Sequence, residues 1–66
     1  MNIIINGQKL EFDKETSIQM FLDTKNISPD SVVVELNQII VPTEKYHTTW
    51  LHNNDKVEIL RFVGGG

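Results

Sequence analysis

"VEILRFVGGG", residues 57–66, sets an alternating run against three consecutive glycines. Lys56 to Val63 is predicted as a strand, with Leu60 and Phe62 on one face and Val57, Ile59 and Arg61 on the other. The glycines have no side chain to pack, cap or charge. Glycine also loses the most conformational freedom on ordering, so such a tail contributes little to folding. Either Gly64-Gly65-Gly66 is a cloning or linker remnant, or its backbone is the functional part. The chain accordingly divides into a folded body, residues 1–63, and a flexible tail, residues 64–66.

Working back from that strand, the other elements are short and well punctuated. Met1 to Ile5 is dominated by β-branched residues, Asn6-Gly7 is a strong type I′ hairpin signal, and Lys9 to Phe12 alternates polar and apolar. The first twelve residues therefore read as a hairpin. Thr16-Ser17-Ile18-Gln19 predicts a capping box, with Thr16 capping the amide of Gln19 and Gln19 reaching back. Ile18, Phe21 and Leu22 then form the apolar stripe of a helix, Asn26 is a left-handed stop, and Ser28-Pro29 prevents continuation. Ser31 to Leu36 and Ile39 to Val41 read as strands separated by Asn37-Gln38. Pro42 ends the second of them or opens a helical turn through Tyr46. Trp50-Leu51 is expected at the core's edge, and Asn53-Asn54-Asp55 is a turn.

The chain has 66 residues, 39% hydrophobic and 23% charged, a composition suited to one small globular domain. A domain of this size buries only about 60% of the surface its unfolded chain exposes. No apolar run approaches the roughly 20 residues of a membrane span and no signal peptide pattern opens the chain, so the expected location is the cytoplasm. With no cysteine, the chain has no disulfide framework, no thiolate chemistry and no cysteine-bound zinc or iron–sulfur cluster. A net charge of -3 without a basic run argues against a nucleic-acid partner and for a basic protein surface.

No enzyme constellation emerges. His47 and His52 lie on a loop-like stretch without the helical spacing and neighbouring Glu of a zinc site, so no metal is expected. The carboxylates are scattered, and so small a body can hardly enclose a substrate. Asp30-Ser31 superficially matches the attachment site of acyl carriers, but Val32-Val33-Val34 directs the segment into a strand. Leu60 and Phe62 read either as core or as an exposed apolar patch that docks a partner, with Arg61 contacting the partner or simply solvated.

The tail carries the chemistry if any part does. Three residues without Cβ form a ribbon that enters a slot closed to side chains. Counting Val63, it reaches at most about 13–14 Å, enough to place Gly66 inside another protein's active site. A free α-carboxylate is ionised at neutral pH and is a poor acyl donor until activated, for example by adenylation. A sulfur nucleophile would then give a thiocarboxylate, and an amine would give an isopeptide.

Residues 35–42, ELNQIIVP, together with 57–66, VEILRFVGGG, closely resemble the sulfur-carrier family of thiamin biosynthesis, and the likeness runs nearly the whole chain. The resemblance implies an α+β, ubiquitin-like β-grasp fold: a mixed sheet of four to five strands with one main helix across one face. It implies that Gly66 is adenylated by an E1-like activating enzyme using ATP and Mg²⁺, with no cofactor held by the chain itself. Sulfur would then come from a donor such as a cysteine desulfurase and pass to thiazole synthase, with Gly64 and Gly65 letting the tail thread. Leu60, Arg61, Phe62 and Val63 are the candidate partner contacts. The chain departs from the family at Gln38, where Gly is common, at Tyr46, where Trp is frequent, and at Asn53-Asn54-Asp55, where Asp-Gly-Asp is usual. Three alternatives remain: the small subunit of molybdopterin synthase, a protein-tagging ubiquitin-like modifier, and a binding module with no sulfur role.

Overall fold

The computed structural model describes residues 1–62. Strands β1 (Asn2–Ile5) and β2 (Gln8–Glu11) form the predicted hairpin, Ile5 facing Gln8. Asn6 and Gly7 both take positive φ, 50° and 82°, as a type I′ turn requires. Helix α1 (Ile18–Thr24) follows, then a 3-10 turn (Pro29–Ser31), β3 (Val32–Leu36) and β4 (Ile39–Val41). A 3-10 helix (Thr43–Thr48) leads into the last strand, β5 (Lys56–Arg61). The sheet order is β2-β1-β5-β3-β4: β5 lies between β1, to which it is parallel, and β3, to which it is antiparallel. This is the mixed sheet with one main helix that the resemblance implies, with five strands where four to five are expected.

The core lies between one sheet face and α1. Ile3 and Ile5 of β1, Val32 and Val34 of β3, and Val57 of β5 point inward at alternate positions. Ile18, Phe21 and Leu22 meet them from the helix. Tyr46 from the second 3-10 helix and Leu51 are also buried. Tyr46 is 1% exposed, so its aromatic ring is fully accommodated in the core. Trp50, expected beside Leu51 at the edge of the core, is instead half exposed, its backbone bridging to Ser17.

The helix start differs from the predicted capping box by one residue. Ser17 is the N-cap, its Oγ accepting the Met20 N–H at 3.1 Å. The Thr16 hydroxyl donates backward to Lys14 O, and Gln19 donates forward to Asp23 Oδ1 at 2.9 Å. Both hydroxyls could cap by local spacing. The backbone decides: Ile18 N–H donates to Thr49 O and Leu51 N–H to Thr16 O, which fixes Ser17 as the last extended residue. Ser17→Ala should therefore cost about 1 kcal/mol in urea unfolding, whereas Gln19→Ala should stay within about 0.5 kcal/mol. The reverse ranking would restore the capping box.

Two other boundaries shift. Pro29 opens a tight turn in which Ser31 donates to Ser28 O through both N–H and Oγ, so β3 begins at Val32 rather than Ser31. The last strand ends at Arg61, although Phe62 N–H still donates to Ser31 O at 3.1 Å. Asn26, Asn37, Gln38 and Asn54 all have positive φ. Gln38 and Asn54 thus stand where the backbone favours glycine, and asparagine tolerates that conformation better than most residues.

Candidate functional site

β5 delivers the chain toward the glycines, so what fixes β5 fixes the site. Its first residues are held by a side-chain knot. Asn37 Oδ1 accepts the Lys56 N–H at 2.9 Å, Asn37 Nδ2 donates to Asp55 Oδ1, and Asp55 Oδ2 accepts the His52 N–H at 2.7 Å. The His52 ring approaches the same carboxylate at 3.8 Å. This histidine therefore belongs to a turn. His47 is exposed on the second 3-10 helix, and no group of three potential metal ligands gathers among the described residues.

Farther along β5, support comes from both sides. β3 pairs with it from Leu36–Val57 to Val32–Arg61. β1 pairs only at Ile4–Lys56 and Ile5–Val57, and then turns away. Asn6 takes over there: its Oδ1 accepts the Ile59 N–H at 2.7 Å and its Nδ2 donates to Ile59 O at 3.2 Å. A single amide thus stands in for one residue of a strand.

The face away from α1 presents the predicted partner contacts. Leu60 is 53% and Phe62 64% exposed, so neither is core and both lie open on the sheet surface. Register places Val33 opposite Leu60, and Glu35 opposite both Glu58 and Ile40. Ile40, 63% exposed, lies on the same face of the sheet at the β4 edge, with Glu35 between it and β5. Sequence reading missed it, because a three-residue apolar run after a tight turn looks the same whether it faces the core or solvent. Arg61 is exposed, and its strand position turns its side chain toward the helix side, away from Leu60 and Phe62. Val63, Gly64, Gly65 and Gly66, the remaining predicted site residues, lie outside the described residues.

Comparison with known proteins bears on this arrangement of an inert body, an exposed apolar surface and a glycine tail. Residues 3–66 match the model of the ThiS family. A sulfur carrier protein ThiS from Bacillus subtilis is 38% identical over 63 residues, spanning 94% of this chain and 96% of that one. The crystal structure of a thiamine biosynthesis protein, ThiS, from Geobacter metallireducens superposes with a TM-score of 0.84 at 30% identity, covering all of both chains. A thiazole synthase from Paramagnetospirillum magneticum is 33% identical over all 66 residues, which make up 20% of that longer polypeptide.

Proposed function

Because the chain belongs to the ThiS family, we propose that it carries sulfur on the α-carboxylate of Gly66 and delivers it to build the thiazole of thiamin. It is a small sulfur carrier of thiamin biosynthesis rather than a catalyst. The observation that carries the chemical assignment is the pairing of a cysteine-free sequence with three glycines separated by two residues from the end of the central strand. Sulfur held by this chain has no thiol of its own to sit on, which leaves the main-chain carboxylate.

The steps follow from that atom. An activating enzyme transfers AMP from ATP·Mg²⁺ to the Gly66 carboxylate, releasing pyrophosphate. A persulfide supplied by a desulfurase attacks the acyl carbon. The C–S bond forms as the C–O bond to AMP breaks, and a thiol reductant then cleaves the S–S bond, leaving a thiocarboxylate and a disulfide. Thiazole synthase then accepts the sulfur. Gly64 and Gly65 admit the tail to slots that a Cβ would block, and Leu60 and Phe62 give each partner an apolar surface to dock on. The occurrence of a matching segment inside a thiazole synthase polypeptide supports that enzyme as the acceptor.

Incubation with the activating enzyme, ATP and a sulfur donor should shift the intact mass by one oxygen-to-sulfur exchange. Under the same conditions Leu60→Ser with Phe62→Ser should slow the exchange about tenfold or more without changing the unfolding midpoint. An unshifted mass with a demonstrably active enzyme would reject the carrier chemistry, and an unaffected double variant would reject the docking surface.

A further inference from the structure

The early departure of β1 leaves a notch in the sheet, and the geometry points to this notch as the place where an extended, acidic segment of thiazole synthase adds itself as a strand beside β5. The inference rests on the reading of that enzyme as a partner. It starts from strand alternation. Asn37, Glu35, Val33 and Ser31 pair toward Lys56, Glu58, Leu60 and Phe62, as the bonds Asn37 N–H to Lys56 O and Phe62 N–H to Ser31 O show. In an antiparallel pair the intervening residues turn their N–H and C=O outward. Val57, Ile59 and Arg61 therefore face the β1 side. Val57 O receives the Asn6 N–H and Ile59 is held by the Asn6 side chain, but the backbone N–H and C=O of Arg61 have no partner among the described residues.

The lane beyond Asn6 is open and shaped. A cleft of about 440 Å³ lies there, walled by Leu10, Ile27 and Ile59, with Lys25 and Arg61 at its rim. Neither cation has a carboxylate within 4.0 Å among the described residues, although the protein as a whole is acidic. A small anion would use the two charges and leave the strand edge and apolar walls unsatisfied. An extended peptide uses all three: main-chain bonds to Arg61, an apolar side chain against Ile27 and Ile59, and a carboxylate toward Lys25 and Arg61. The Asn6 bonds of 2.7 and 3.2 Å show that a donor and an acceptor already sit at ladder distance in this lane. The added strand would lie next to Arg61, close to the end of the strand that precedes the glycines.

The test uses the full chain, isotopically labelled, with intact thiazole synthase. In the complex, exchange of the Arg61 amide should slow about tenfold or more, and Lys25→Glu should weaken binding about tenfold at low salt, with less effect at high salt. Unchanged Arg61 exchange within a formed complex, or undiminished affinity of a folded Lys25→Glu variant, overturns the strand-addition inference alone. Failure of the two proteins to associate at all would overturn both this inference and the partner reading beneath it.

Discussion

Deletion of Gly66 is expected to abolish thiocarboxylate formation while leaving the unfolding midpoint where it is. The body's core draws on residues from Ile3 to Val57, so the fold has no stake in the last residue. The activated atom does. Without Gly66 the carboxylate retreats by one residue, about 3.3–3.6 Å, and a misplacement of about 1 Å in an active site can already cost about 10²-fold. Turnover should fall to background. Appending a bulky residue should act as strongly, because on the proposed route it replaces the activated carboxylate with a peptide bond and adds a Cβ to the segment proposed to thread. Intact-mass kinetics on the three proteins, paired with denaturation curves, make the comparison. Sulfur loading that persists in either altered chain would move the chemistry elsewhere.

Leu22→Ala should have the largest effect on stability. Leu22 is 0% exposed and sits at the centre of the helix face that closes the core. Truncation leaves a cavity between α1 and the sheet and should cost about 3–5 kcal/mol. A chain of 66 residues has a total stability of only about 3–10 kcal/mol, so the variant should lose about a third or more of it and unfold at a much lower urea concentration. Leu60→Ala is the matched control: the same atoms are removed from a side chain that is 53% exposed, and the loss should stay within about 0.5 kcal/mol. Equal midpoints in urea for the two variants would mean that the core is not where the burial pattern puts it.

Much of this was legible in local chemistry. Asn6-Gly7 announces a turn that only two left-handed residues can make, and the structure has both. Asn26 stops the helix at φ 56°, as its short polar side chain permits. Other features depend on what a residue meets from far along the chain. Thr16 and Ser17 offer the same hydroxyl one position apart, and the choice between them is made by backbone bonds to Leu51 and Thr49. The second role of Asn6, clamping Ile59, is a contact across more than fifty residues that no window of sequence reveals. Ile40 likewise is exposed because the register turns it to the sheet face that no described element covers.

The central place of β5 also governs how the protein comes into being. During synthesis the two hairpins, β1 with β2 and β3 with β4, emerge first, yet they share no ladder until the strand between them arrives. Isolated hairpins are marginal in water, and pairings between distant parts of a chain form late. The nascent polypeptide therefore stays unfolded until Lys56–Arg61 has cleared the ribosome. A message truncated before that segment yields no partly competent carrier, only a chain for the proteases.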